Sequence, residues 1–335
     1  MKFTRRKMLG VTGSLFGGAL AGGIMPAWAQ DLTKVTVRLA FSYNGHRSPY
    51  LLGVDKGFYQ EEGLEVEVLE GKGVTSSMQL VANGDDTFNI VDPPSLMLGV
   101  AQGMPLRQVA QLYQISPNAL ISWKEHNIKG PADLVGKTIT SLQGDTTTTM
   151  LYALLAKNGI NRNDLNIVAA DGGTRNQTFL GKRAEAVTGF YNDSYMGFRD
   201  ATEDNVDYFL YSSFGVDTMG DGIAAHTDTI ENSPEVVAGF VRATLKSYDY
   251  ALEHPEEAIE SLVSRASSRK ADVEILKLQA TASLLEGTNG TEKGVGYSSK
   301  ERWENAQALM NEFGGLNQTV DDVSVYYTNE FLPEA

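Results

Sequence analysis

The chain has 335 residues and not one cysteine. That absence excludes disulfides, thiolate metal sites, cysteine nucleophiles and a lipid-anchored N-terminal Cys. Histidine is scarce as well. His46, His126, His226 and His254 stand far apart, without HExxH or a related metal-ligand spacing. A GxSxG nucleophile elbow is also missing. Neither a metal nor a cofactor is expected. Basic charge is in deficit, with 28 Lys and Arg against 42 Asp and Glu for a net charge of −14. A phosphate-tracking protein needs the opposite sign, so nucleic acid is not an expected partner. The acidity favours solubility. Beyond residue 30 there is no apolar run long enough to span a bilayer, no low-complexity linker and no repeat of fixed period.

What is present begins with an address. Lys2, Arg5, Arg6 and Lys7 precede an uncharged stretch from Met8 to Gln30, which six glycines and Pro26 dilute. Thr4-Arg5-Arg6-Lys7-Met8-Leu9 resembles a twin-arginine export signal, although Met8 and Gly10 replace the usual Phe and Lys. Ala27-Trp28-Ala29 fits the A-x-A cleavage rule. Residues 1–29 therefore read as a signal peptide cleaved after Ala29, placing the mature chain outside the cytoplasmic membrane, in the periplasm. Ordinary unfolded export and an uncleaved membrane anchor are the competing readings.

Downstream, strand and helix patterns alternate. Residues 35–41 (VTVRLAF), 65–69, 89–91 and 106–113 read as strands, with helices over 50–56 and 75–82 and another starting at Pro93-Pro94-Ser95. The alternation restarts near Ala119, with strands at 119–123, 137–140, 167–168 and 186–188 and helices at 146–158 and 176–181. From Ser233-Pro234 helices dominate, over 234–252, 255–266, 270–285 and 298–313. Repeated βα units predict an α/β fold with mainly parallel sheets, here in two blocks.

Several strings then come in a telling order. Residues 56–68 read KGFYxEEGLxVxV, and Gly71-Lys72-Gly73-Val74-Thr75 is a glycine-rich strand-to-helix turn. Asn83-Gly84-Asp85 precedes a short strand, and Leu134-Val135-Gly136-Lys137-Thr138-Ile139 fits DLxGKxI. Phe179-Leu180-Gly181 through Ala186-Val187 carries Glu185 where an Asp is usual, and residues 234–243 follow a PExVxxFxRA pattern. Together these resemble the periplasmic binding proteins for thiamine-pyrimidine precursors, alkanesulfonates, taurine and nitrate, across roughly residues 33–315. The resemblance implies the type II periplasmic-binding-protein fold: two α/β lobes joined by two crossing strands, with a ligand cleft between them. Residues 31–118 and 222–335 would form lobe one, and 119–221 lobe two. It also implies a monomeric carrier that closes on a small molecule and delivers it to the permease of an ABC importer.

In open α/β sheets ligands sit off the carboxyl ends of strands, near helix N-termini. By that rule and by matching position in the family, the expected contacts start with Phe41, Tyr43, Asn44 and His46, in a loop resembling WxPNxxHxG without its tryptophan. Gly73 and Thr75, and Asp92 and Ser95, follow at two further helix starts. Thr146 and Thr147 belong to the Gly144-Asp145-Thr146-Thr147-Thr148-Thr149 turn, which resembles the anion turn of sulfonate binders. Tyr191, Asn192 and Asp193 follow the strand at 186–188. Capping is the competing role for the hydroxyls and carboxylates. Trp123, Tyr113 and Trp303 read as hinge or core. A thiamine-related pyrimidine or similar planar N-heterocycle fits the aromatics and Asp193. An organic anion fits the threonine turn with Arg47 or Arg175. An exported enzyme and a ligand-sensing subunit are further alternatives, and the synthase branch of the family relies on a cysteine-rich motif that this chain lacks.

Overall fold

A computed structural model describes residues 32–142, 145–286 and 294–333. The expected signal peptide and Gly144 lie outside the described residues. The first sheet orders its strands β2-β1-β3-β10-β4, drawn from β1 (Thr33–Arg38), β2 (Leu64–Leu69), β3 (Phe88–Val91), β4 (Leu106–Gln111) and β10 (Gly222–His226). The second orders β7-β6-β8-β5-β9, from β5 (Asn118–Trp123), β6 (Thr138–Leu142), β7 (Asn166–Ala170), β8 (Ala186–Phe190) and β9 (Val206–Leu210). The two patterns match strand for strand. Three parallel strands are followed by one antiparallel strand, β10 in the first sheet and β5 in the second. The chain leaves one sheet between β4 and β5 and returns between β9 and β10. Those two crossings pair with each other: Leu112 and Tyr113 donate N–H bonds to the Asp221 carbonyl, and Ser116 N–H donates to Thr218. Two lobes joined by two crossings are the fold that the resemblance implied.

Twelve helices are defined among the described residues. They are α1 (Ser48–Asp55), α2 (Phe58–Glu61), α3 (Val74–Ala82), α4 (Pro93–Ala101), α5 (Thr146–Lys157), α6 (Gly172–Leu180), α7 (Met196–Ala201), α8 (Thr227–Asn232), α9 (Pro234–Glu253), α10 (Pro255–Arg265), α11 (Ala271–Glu286) and α12 (Lys300–Glu312). None is long and apolar enough to cross a membrane. α9 shows why the C-terminal helices form: Pro234 opens it, His254-Pro255 ends it, and Val237, Phe240, Val241, Thr244, Tyr248 and Ala251 are buried at helical spacing. Phe240 stacks on Phe88 of β3 at 4.2 Å and on Tyr59 at 5.4 Å, clamping α9 to the first sheet. Burying such a ring is worth about 2–3 kcal/mol.

β2 buries Leu64, Val66 and Val68 and turns Glu65 and Glu67 outward, an edge strand with one wet face. β5 buries all six of its residues between β8 and β9. α11 belongs to neither lobe alone. It packs against the Gly45–Arg47 turn after β1 and against the Tyr191–Tyr195 turn after β8.

Candidate functional site

Each lobe directs the carboxyl ends of its parallel strands at the other. β1 ends at Arg38 rather than at Phe41, because pairing with β3 stops at Arg38↔Asn89 and the chain bends away. That bend exposes Phe41 and starts the loop through Arg47. The turn after β2 crosses beneath it: a Cβ on Gly71 would lie 2.0 Å from the Leu39 carbonyl oxygen, so only glycine fits. β8 ends in Phe190, followed by a single π turn, Tyr191–Tyr195.

These ends enclose a cavity of about 420 Å³, within the range of small-molecule sites. From the first-sheet side come Phe41, Ser42, Asn44, His46 and Arg47. From the second come Asp145, Thr147, Arg175, Phe190 and Asp193, with Arg269 reaching in from the segment before α11. A second cavity of about 640 Å³ shares Phe41, Leu142, Asp145 and Gly172 with the first, and adds Gly73, Thr75, Ser95 and Thr146. Asp92 meets Arg47, Thr146, Thr147 and Phe190 in a small pocket of about 30 Å³. A larger groove of about 830 Å³ sits at the opposite, amino ends of the first sheet's parallel strands, lined by Lys34, Glu65, Asp85 and His226. It lies at the wrong end of the strands for an open α/β site.

The expected contacts therefore divide. Phe41, Asn44, His46, Thr147 and Asp193 share the first cavity; Gly73, Thr75, Ser95 and Thr146 share the second; Asp92 lies between them. Tyr43, Tyr191 and Asn192 line none of these cavities. The Tyr43 hydroxyl donates to the Val68 carbonyl at 2.7 Å, which pins its ring on the first-sheet core. Tyr191 packs on Tyr208 with ring centroids 4.8 Å apart and on Tyr195 at 6.0 Å, so the residue expected to stack on a ligand stacks on its neighbours. Asn192 is fully buried and donates to Thr281 of α11 at 3.1 Å. Trp123, Tyr113 and Trp303 are core residues.

Most carboxylates facing the cleft are committed. Asp92 caps α4, accepting from Ser95 N–H at 3.0 Å and from its hydroxyl at 2.8 Å. Burial nonetheless pushes its pKa up to about 6. Asp145 caps α5 through Thr147 N–H, and Asp171 caps α6 through Thr174 N–H. These caps occupy the helix starts where an anion would otherwise sit. Asp193 pairs with Lys277 at 3.0 Å, and Lys277 also holds Glu274 at 2.9 Å. Glu274 in turn accepts the Gly45 N–H at 2.5 Å. Burial would raise Asp193, but Lys277 and the neighbouring positive charges outweigh it and hold the carboxyl at about 2.

The uncommitted groups lie on the first loop. Asn44, His46 and Arg47 are 5 %, 1 % and 4 % exposed, and Asn44 Oδ1, His46 Nδ1 and Arg47 Nε have no hydrogen-bond partner among the described residues. The nearest acid to Arg47 is Asp221, a loose 3.8 Å away. Burial, reinforced by the Arg47 charge, drives His46 well below the ordinary imidazole range, so it is neutral at pH 7. Tyr113 and Tyr248 both donate to the His46 carbonyl, at 3.2 and 3.4 Å, which fixes the turn. Across the cleft the Ser95 and Thr146 hydroxyls share a hydrogen bond of 2.8 Å.

Phe190 and Arg269 were not among the expected contacts. Phe190 is the last strand residue, a position the sequence marks as a strand tip. Arg269 arrives from far along the chain, and no local pattern announces it.

Two α/β lobes with cavities at their opposed strand tips have the architecture of the periplasmic binding proteins. The chain belongs to the NMT1/THI5-like family, whose pattern matches residues 44–258. It is 25% identical over 297 residues to a formylaminopyrimidine-binding protein of Halalkalibacterium halodurans, covering 87% of this chain and 88% of that protein. The riboflavin-binding protein RibY of Chloroflexus aurantiacus is 27% identical over 311 residues, with 90% and 87% covered. A 4-amino-5-hydroxymethyl-2-methylpyrimidine phosphate synthase of Legionella pneumophila is 22% identical over 322 residues, with 90% and 93% covered. Among solved structures, the periplasmic aliphatic sulphonate binding protein SsuA of Escherichia coli superposes with a TM-score of 0.70 at 14% identity, covering 86% of this chain and 95% of that one. That likeness concerns the fold.

Proposed function

We propose that this protein is the extracytoplasmic solute-capturing subunit of an ABC importer, and that its solute is a planar nitrogen heterocycle of the thiamine-pyrimidine kind. On this reading residues 1–29 are removed on export to the periplasm. Lobe one (31–118 and 222–335) and lobe two (119–221) close on the ligand, and the monomer passes it unchanged to a permease. The observation that carries the reading is the first cavity itself. Two phenylalanines, Phe41 and Phe190, stand beside buried, unpartnered Asn44 and His46, an aromatic wall with a hydrogen-bonding edge. A ring between such walls gains about 0.5–1.5 kcal/mol beyond simple burial. Two relatives named for flat nitrogen heterocycles support the choice of ligand class.

Closure follows from contacts made by both lobes, since a ligand shifts the equilibrium only by its differential affinity for the closed state. Carrier rather than synthase is supported by the chain's lack of the cysteine on which the synthase branch relies. A second reading, an organic anion, is favoured by Arg47, Arg175 and Arg269 on the same cavity. The aspartate caps and Asp193 weigh against it. Melting curves against a panel of pyrimidines, flavins, sulfonates and aromatic carboxylates decide between them, because a bound ligand stabilises by RT ln(1 + [L]/Kd). Mass spectrometry of the recovered ligand then tests the carrier role. A chemically altered heterocycle would overturn it, and stabilisation by sulfonates alone would overturn the choice of ligand.

A further inference from the structure

Two helix starts meet across the cleft, and each is capped by a carboxylate. Asp92 caps α4 on the first lobe, and Asp145 caps α5 on the second. At this seam Ser95, the third residue of α4, shares its 2.8 Å hydroxyl bond with Thr146, the first of α5. Asp92, Asp145, Asp221 and Arg47 line the same small pocket of about 30 Å³, which has space for little more than a water.

The cations around this pocket do not match the acids one for one. Asp221 has Arg47, 3.8 Å away. Burial raises Asp145, opposed by its Thr147 cap and by the charge of Arg175 on α6. Asp92 forms no ion pair among the described residues. Its carboxylate is bonded to the Ser95 N–H and hydroxyl, while Asp221 and Asp145 both bear on it with like charge. The neighbouring elements bring no relief. α3 and α4 carry no charged residue, and His46 is neutral. On α12, Arg302 turns to Asp217 and Lys300 to Glu304. Lys72 lies on the second cavity, away from the pocket. Shutting the cleft brings Asp92 towards Asp145 and takes both from water, and each step disfavours the ionised form. Resting on the lobe closure of the reading above, we propose that shutting of the lobes takes up a proton at Asp92, so that acid favours the shut form and base the open one.

In the shut arrangement Asp92 titrates at about 6. Hydrated in the open form, it titrates near the ordinary 4, so the gain is full below about pH 4 and is lost as pH rises through 6. Between pH 8 and pH 5 the ratio of shut to open forms should rise about tenfold. His126, His226 and His254 line none of the three cleft cavities.

The chain's lack of cysteine makes the test clean. Asn83→Cys on the first lobe and Gln177→Cys on the second, both exposed and outside the cleft cavities, carry a dye pair on the mature, ligand-free protein. Single-molecule energy transfer then counts shut and open forms at pH 8 and pH 5. Asp92→Asn keeps the cap and removes the charge. It should show at pH 8 the ratio that the parent reaches at pH 5, and should change less than threefold between the two. Should Asp92→Asn fail to fold, Asp145→Asn removes the facing charge and should raise the pH 8 ratio; no rise there would overturn the proposal. Two forms whose ratio ignores pH, or follows it as strongly in Asp92→Asn, would overturn the proton coupling alone. One unmoving form at both pH values would overturn lobe closure with it. No ligand is used, so neither result bears on the heterocycle.

Discussion

Lys277 is the buried cation most open to a quantitative test. Its ammonium lies 3.0 Å from Asp193 and 2.9 Å from Glu274, which puts the two carboxylates no more than about 6 Å apart. Its side chain is 8 % exposed. Lys277→Met keeps the aliphatic stem and deletes the charge. Two carboxylates at that separation repel by about 3 kcal/mol at an effective dielectric constant of 20. Adding the lost charged hydrogen bonds, the variant should be less stable by about 3–5 kcal/mol at pH 7. In the parent, Asp193 is held near pKa 2, so its contribution is complete above the ordinary carboxyl range and is lost only as pH falls through about 2. In the variant the Lys277 charge that chiefly offsets burial is gone and the weaker Arg47 charge remains, so Asp193 titrates higher than in the parent and the variant's deficit shrinks as pH falls. The gap between parent and variant should be widest near pH 7 and should narrow by more than half at pH 4. Urea denaturation of both proteins at the two pH values measures it. A gap below about 1 kcal/mol at pH 7, or one equal at both pH values, would show that Lys277 contributes packing and not charge.

The Asp92 pKa of about 6 against an ordinary value near 4 means that its stabilising effect is present below about pH 4 and is lost as pH rises through 6. Asp92→Asn keeps an oxygen for the Ser95 N–H and should raise stability by about 1–2 kcal/mol at pH 8, with no gain at pH 4, read from melting temperatures. Gly45→Ala puts a Cβ 1.9 Å from the Glu274 carbonyl oxygen and should abolish soluble protein or displace α11, whereas Gly63→Ala meets nothing within 4 Å and should cost only about 1 kcal/mol from its positive φ. Expression yield and thermal denaturation of the two alanine variants, compared side by side, separate the steric cost from the conformational one.

Much of the architecture was legible where local chemistry and tertiary context agree. The helix from Pro234 has an apolar stripe and ends within one residue of its expected bound, and the strand containing Val35 and Val37 has β-branched alternation but ends three residues before Phe41. β10 was not read from its sequence. Gly222-Ile223-Ala224-Ala225-His226 has weak strand preference, and its conformation comes from β3 and β4 on either side, with a Cβ on Gly222 blocked 2.5 Å away by Gln108. α2 is a single turn behind Gly57 and too short to carry a pattern. In the cleft, the strand-tip rule led to loops that line the cavities, but within them Tyr43, Tyr191 and Asn192 line none. The π turn after β8 rotates Tyr191 into an aromatic cluster and leaves Phe190 on the cavity. Asp193 looked like a free acceptor because its partner, Lys277, is distant in the chain.

The chain crossings and the loop after β1 meet near Asp221. The Asp221 carbonyl receives both Leu112 and Tyr113 N–H groups, one of several bonds that stitch the two crossings together. Its carboxylate is the acid nearest Arg47, and the Tyr113 hydroxyl donates to the carbonyl of His46. Ser95 and Thr146 close the opposite side of the cleft with a single hydroxyl pair, worth about 1 kcal/mol. A bond of that size, shared between two exchangeable hydroxyls, contributes little to holding the two sides of the cleft together.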